Sequence, residues 1–299
     1  MAQVEGLSEV YMKRRQLMGY AGTGLLAAVG TGLLVQLSPA QAQATGLKIQ
    51  WLGHTSFLFT GSGQRILVNP FRTLGCTAGY RLPKVQTDLV LISSQLLDEG
   101  AVEILPGNPR LLYEAGVYQV GDLRIQGIRT DHDRIGGRRF GTNVVWQWKQ
   151  GGLNILHLGG AAAPITLEQK ILMGQPDVLL IPVGNGPKAY SPEEAKQAIA
   201  LLQPKLVIPT HYRTQAADPE TCDLVGLDQF LTLMQGTPVK RANSDTVTLT
   251  PGSLPKRGPE ILVMSYSYPP APKKPGSPAK KAPAGQSTTP APTPSPVNK

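Results

Sequence analysis

The sequence predicts an α/β fold in which two β-sheets pack face to face with helices outside. Three observations carry this. The body opens with short alternating strands joined by tight turns, a β-meander. It continues with apolar runs that do not alternate, Leu89–Ile92 and Val178–Pro182, which suit strands buried on both faces. Helical segments stand between the later strands, and strands first, then strands alternating with helices, is the order of a layered sheet core.

Leu47–Leu52 alternates around Ile49 and Trp51 and reads as the first strand. Gly53-His54-Thr55 turns into a second, Ser56–Phe59. Gly61-Ser62-Gly63-Gln64 is a hairpin turn before a third, Arg65–Val68. Asn69-Pro70-Phe71 ends the meander, and an irregular loop to Thr87 carries Cys76. In Asp88–Gly100 a buried strand breaks into Ser93-Ser94-Gln95 and then an acidic pair, Asp98-Glu99. A buried strand ending in a polar turn is where α/β proteins place their chemistry. A short helical or loop segment follows. Gly116–Val120, Leu123–Ile128, Asn143–Trp148 and Leu153–Leu158 read as strands, with a polar loop at Arg129–Thr142. Thr166–Met173 reads as a helix. Ser191-Pro192-Glu193-Glu194 is a capping box with proline at the first helical position, and its helix ends before Pro204. Leu206–Ile208 is a strand running into Pro209-Thr210-His211. A helix at Leu227–Gln235 and a strand at Thr246–Thr250 complete the pattern.

The two ends differ from this body, which spans residues 45–266. Residues 1–44 carry Lys13-Arg14-Arg15, a mildly apolar Gly/Ala-rich run from Gly19 to Leu37, and the small-x-small site Ala40-Gln41-Ala42. This resembles a twin-arginine (Tat) export signal, with an uncleaved membrane anchor as the alternative. The expected destination is the periplasm or a thylakoid lumen. Residues 267–299 are rich in Pro, Ala, Ser, Thr and Lys without an acidic residue, the composition of a disordered tail that can touch a membrane or a protein.

The chain has 29 Lys+Arg against 20 Asp+Glu, but three of the basic residues lie in 1–44 and five in 267–299, against two acidic ones, so the body is only about +3. The high pI therefore does not signal nucleic-acid binding. Two cysteines, Cys76 and Cys222, exclude a cysteine-based zinc finger. An exported protein can join them, and spacing alone does not decide whether it does.

There are four histidines, His54, His132, His157 and His211, each at the end of a predicted strand or in the loop after it. A lone strand-end histidine is more often a structural hydrogen-bonder; four with one placement point to a shared site. Asp131 and Asp133 can equally close a turn around His132, and Asp98 can cap a following helix. No G-x-S-x-G elbow, dinucleotide fingerprint or P-loop is present, and nothing in the spacing pairs Ser93 or Ser94 with His132 as nucleophile and base.

Gln50-Trp51-Leu52-Gly53-His54-Thr55-Ser56-Phe57 and Arg65–Phe71 resemble the start of metallo-β-lactamase-fold proteins, in the branch containing L-ascorbate-6-phosphate lactonase and predicted zinc-dependent hydrolases. Asp131-His132-Asp133, His157-Leu158-Gly159, Ile181-Pro182-Val183-Gly184 and Pro209-Thr210-His211-Tyr212 follow in matching order. The resemblance covers the body. It implies a four-layer αββα sandwich with two metals, held by a His-x-His-x-Asp-His motif, a later His, a bridging Asp and a last His, that activate a water.

The sequence departs from this pattern at the metals. Ser94, Leu96 and Glu99 stand where three histidines are expected, and Gly160 where the bridging aspartate is. Asp98, His132 and His211 match. His54 and His157 match or adjoin family positions in the cleft that are not usual ligands. The counterpart of His132 serves one metal; those of Asp98 and His211 serve the other. The first position is thus expected to be empty. The second can survive as an oxygen-rich site of Asp98, Glu99 and His211, better suited to manganese, iron or magnesium than to zinc, or as a remnant of Asp98, His132 and His211; no cofactor is the first expectation, and one divalent ion (zinc, manganese or iron) the alternative. Three readings follow. One is an exported non-catalytic protein that binds a small molecule or a protein in the old cleft. A second is a one-metal hydrolase of lactones, esters or phosphoesters using Asp98, His132 and His211. The third is an assembly factor at a membrane.

Overall fold

The computed structural model describes residues 46–268; the stretch expected to be an export signal and almost all of the expected tail lie outside them. Two sheets form the molecule. The first holds β1 (Leu47–Gly53), β2 (Ser56–Gly61), β3 (Gln64–Val68), β4 (Leu89–Leu91), β5 (Arg110–Leu112) and β13 (Thr246–Leu249), in the order β13-β1-β2-β3-β4-β5. The second holds β6 (Gly116–Val120), β7 (Leu123–Asp131), β8 (Thr142–Gln150), β9 (Leu153–His157), β10 (Val178–Pro182), β11 (Leu206–Thr210), β12 (Val239–Arg241) and β14 (Glu260–Val263). Its order is β12-β14-β11-β10-β9-β8-β7-β6.

The meander is antiparallel, with Ile49 opposite Phe59 and Phe57 opposite Val68. From β3 onward the first sheet turns parallel, and so does the second sheet from β9 to β14. Parallel strands need crossovers, and α1 (Leu167–Met173) and α2 (Pro192–Leu202) supply two of them. The residues of β10 and β11 are all buried, as unbroken apolar runs require. The inner faces lock together through Phe59 of β2 against Trp148 of β8, edge-on at 4.9 Å. The Trp146 indole N–H donates to the Ile92 carbonyl at 3.0 Å, tying β8 to the end of β4.

The caps form as the sequence dictates. Ser191 accepts from the Glu194 N–H while the Glu194 carboxylate accepts from the Ser191 N–H, and Thr166 and Gln169 repeat the device on α1. The helical layer, with α3 (Leu227–Leu233), belongs to the second sheet. The outer face of the first sheet, around Leu67, Val90 and Ile92, is covered by Val85, Val102 and Leu105 from loops and one 3₁₀ turn. Gly100, Pro106, Gly107 and Pro109 break any longer helix there. Asp98 therefore caps no helix: the 3₁₀ turn, Val102–Ile104, starts after Ala101. Strands β5, β12 and β14 go beyond those expected. Arg129–Asp131 extend β7, and Thr142 opens β8, so the polar loop is shorter than expected. The packed body also runs past residue 266, because Tyr266 meets Tyr80 edge-on at 4.8 Å and Tyr268 stacks on it at 5.7 Å. Among the described residues, no helix is long and apolar enough to cross a membrane.

Candidate functional site

Strand ends from both sheets meet at one edge. His54 follows β1, Asn69 follows β3, and Ser93 to Glu99 follow β4. His132 follows β7, Gly159-Gly160 follow β9, and His211 follows β11. His54, Asn69 and His211 adopt positive φ of 54°, 52° and 51°. Side chains in this left-handed region cost of order 1 kcal/mol or more each, and such residues persist where the surroundings hold them, most often at functional sites.

One group comprises His54, Asp98 and His211. One potential ligand atom from each lies within 4.8 Å of the others. His54 Nε2 is 3.9 Å from Asp98 Oδ2, and the two imidazoles meet edge-on at 4.2 Å. His54 Nε2 and His211 Nδ1 are buried without a hydrogen-bond partner among the described residues. Burial lowers His54 to about 4, partly opposed by Asp98, and lowers His211 well below its ordinary value, with His54 and Lys188 adding to the effect. Both rings are therefore neutral at neutral pH, the state that ligates metals. The Lys188 ammonium pairs with the Asp98 carboxylate, each side chain 18% exposed.

A second group is fully buried. Glu99 Oε2 accepts from Ser94 Oγ at 2.8 Å and lies 3.3 Å from His132 Nε2; Asn69 Nδ2 reaches Oε1 at 3.5 Å. Burial alone would raise the Glu99 carboxyl, but His132, with smaller contributions from His211 and Lys188, outweighs it and holds the group well below the usual carboxylate range. Gly160 abuts this pair: a Cβ there would stand 2.5 Å from His132 Nε2 and 2.8 Å from Glu99 Oε1. Loss of the expected aspartate side chain at 160 leaves the room that the Glu99 carboxylate fills.

The expected ligand set Asp98, Glu99, His132, His211 thus divides. Asp98 and His211 meet each other and His54, which was not expected to ligate; Glu99 turns onto His132 instead. The surviving donor set is two imidazoles and one carboxylate, richer in nitrogen than the oxygen-rich site expected. Ser94 donates to a carboxylate held well below the usual range, too weak a base to activate a hydroxyl. His157 is not a cleft residue. It is fully buried; its Nδ1 accepts from the Gly159 N–H and its Nε2 faces the Thr55 carbonyl, both at 3.0 Å, and burial lowers it to about 4. Asp133 closes the turn around His132. Its carboxylate accepts the N–H groups of Ile135, Gly137, Arg139 and Phe140, each at 2.9 Å, which outweigh its desolvation and lower its pKa. Sequence reasoning missed Lys188 and Asn69. Lys188 sits in a Gly-Asn-Gly-Pro-Lys loop, 90 residues from Asp98, with no local sign of its partner.

A cleft of about 360 Å³ opens over the His54 group, walled by Leu74, Leu97, Pro187 and Leu224. A neighbouring hollow of about 590 Å³ has Ser93 and Ser94 in its lining together with Tyr113 and Arg129; Leu96 and Phe140 line both. Cys76 and Cys222 form a disulfide between two segments of the cleft wall. The same segments are joined by Asp218 N–H to Gly75 O at 2.9 Å and Gly79 N–H to Ala216 O at 2.7 Å.

A two-sheet α/β sandwich with its polar strand ends gathered at one edge is the class of the metallo-β-lactamases. Residues 48–211 match the model of the β-lactamase superfamily domain. A UPF0173 metal-dependent hydrolase of Thermococcus onnurineus is 30% identical over 202 residues, 58% of this chain and 89% of that protein. Another, from Thermococcus kodakarensis, is 29% identical over 203 residues, 58% and 89% respectively. A structure from Thermotoga maritima, provisionally described as a Zn-dependent hydrolase of the metallo-β-lactamase superfamily, superposes with a TM-score of 0.59 at 30% identity, covering 73% of this chain and 98% of its own. The chain belongs to the metallo-β-lactamase superfamily.

The residues present do not fit the two-metal centre that the resemblance implies. Leu96 offers no donor, Gly160 no side chain, and Glu99 is engaged with His132. The unpartnered nitrogens of His54 and His211 with Asp98 do fit a single divalent ion such as zinc, iron or manganese.

Proposed function

We propose that this protein is a non-hydrolytic member of its superfamily, which uses the cleft to bind a small molecule or a protein. One observation carries the reading: the places that the resemblance assigns to two cations are taken up by the chain's own side chains. Lys188 neutralises Asp98, and the buried Glu99 carboxylate sits against His132 beside Gly160. A hydrolytic metal needs an open coordination position and an activated water; a site whose carboxylates are already paired is built to stay as it is.

Export to the periplasm or a thylakoid lumen is part of the proposal. The Cys76–Cys222 disulfide supports it, since such bonds persist in oxidising compartments. The Lys/Pro-rich residues 267–299 are a further contact for a membrane or an assembly partner. Pull-downs with and without them check this, and identical partners would remove the tail from the proposal.

A second reading has its own observation. The buried, unpartnered His54 Nε2 and His211 Nδ1 favour a one-metal hydrolase of lactones, esters or phosphoesters. A divalent ion there would supply a Lewis acid and a water of lowered pKa; His54, Asp98 and His211 would hold it, and Lys188 would have to release Asp98. Elemental analysis of the purified protein, with hydrolysis assays after metal addition, separates the readings. Metal-free protein without activity is the expected result. Near-stoichiometric tightly held metal with turnover abolished by His211→Ala would overturn the binding-protein reading.

A further inference from the structure

We propose that Lys188 is an intramolecular cation that occupies the former second metal position and keeps a divalent ion out, so that the His54/Asp98/His211 site is latent rather than lost. The inference rests on the metal-free reading above and extends it to one residue.

Three features support this role. The Lys188 ammonium pairs with the one carboxylate of the donor group. It is also 5.6 Å from the centre of the Phe140 ring, whose face favours a cation. The loop that presents it is fixed on all sides. The Val225 N–H donates to the Gly184 carbonyl at 2.7 Å and the Asn185 N–H to the Tyr190 carbonyl at 2.9 Å; Arg134 donates to the carbonyls of Gly186 and Ala189 at 3.1 and 2.9 Å. Arg134 is itself held by Glu194 at the start of α2. A surface lysine on a loose loop pairs transiently and weakly; this one is delivered to Asp98 by a braced loop. Meanwhile His54 Nε2 and His211 Nδ1 have no hydrogen-bond partner among the described residues, the condition of ligands lacking only their ion. The ammonium donates to Asp98 and to neither His54 Nε2 nor His211 Nδ1, so it neutralises the carboxylate while leaving both ring nitrogens unused.

The test is titration of the full chain with Co²⁺, followed by visible d–d absorption and calorimetry, for the wild type, Lys188→Met and Lys188→Arg. Removing a fixed positive charge beside a divalent ion is expected to tighten binding by about 100-fold or more. Lys188→Met should therefore bind one Co²⁺ per chain with a visible spectrum. Wild type and Lys188→Arg should not, and His54→Ala in the Lys188→Met background should abolish the spectrum. Should the Met variant prove insoluble, Lys188→Gln serves in its place. A folded Lys188→Met or Lys188→Gln protein, judged by circular dichroism, that binds no Co²⁺ would overturn the inference and leave the metal-free reading standing. Wild type binding Co²⁺ as tightly as the variant would overturn both.

Discussion

Acidification from about pH 7 to about pH 5 should destabilise the metal-free fold through its buried histidines. His54 and His157 are buried and neutral, lowered from 6.5 to about 4. Between those values the unfolded chain takes up a proton at each ring and the folded chain does not. The unfolded state binds more protons, so stability rises with pH: it is complete above pH 6.5 and falls as the pH drops toward 4. Each ring contributes a slope of about 1.4 kcal/mol per pH unit, or about 2 kcal/mol lost by pH 5. His211 is lowered too and adds to the slope. Two rings alone thus remove about 4 kcal/mol, a large share of a typical 5–15 kcal/mol. The assay is urea unfolding at a series of pH values, followed by fluorescence of the buried Trp51, Trp146 and Trp148. His157→Gln isolates one ring, since His157 belongs to neither charged group and Gln can still donate to the Thr55 carbonyl. Its readout is the slope, expected to fall by about 1.4 kcal/mol per pH unit. A flat profile between pH 7 and 5, or an unchanged slope in His157→Gln, would refute the reasoning.

Glu99→Ala removes the carboxylate that faces His132 and takes the acceptor from Ser94 Oγ; it should cost about 3–5 kcal/mol, read as a lowered urea midpoint, with Glu99→Gln milder. Gly160→Asp, which restores the expected residue type, should destabilise rather than confer metal binding, because its Cβ would meet His132 Nε2 at 2.5 Å; a metal-binding Gly160→Asp protein of unchanged stability would refute this. Reduction of the disulfide, or Cys76→Ser with Cys222→Ser, releases a link 146 residues apart in sequence and should lower stability by about 2–5 kcal/mol in thermal melts. Asp133→Ala strips four N–H groups of their acceptor and should raise amide exchange in residues 134–141 while leaving exchange in β10 and β11 unchanged.

What could be read from the sequence divides by range. The all-buried β10 and β11 and the capped α1 and α2 announce themselves within a dozen residues, through unbroken apolar runs and N-cap chemistry. Strand β14 was missed because Ile261–Val263 is short and adjoins a Pro/Lys-rich stretch; it exists by virtue of pairing with β11 and β12. The losses at Leu96 and Gly160 were visible as absent donor atoms. Their consequence, Glu99 swinging onto His132, was not, since a side chain's direction depends on the cavity its neighbours leave. His54 was recognised as a cleft residue but not as a partner of Asp98 and His211, because its left-handed backbone sets the ring's aim. The Lys188–Asp98 pair is long-range and carries no local pattern.

Tyr266 and Tyr268 lie against Trp51 and Tyr80, and Arg81 grips the chain between them through the Ser267 carbonyl at 2.8 Å. The C-terminal extension thus starts from a fastened knot on the same segment that bears Cys76. Opening the Gly75–Arg81 loop would therefore have to release both this knot and the disulfide-linked cleft wall.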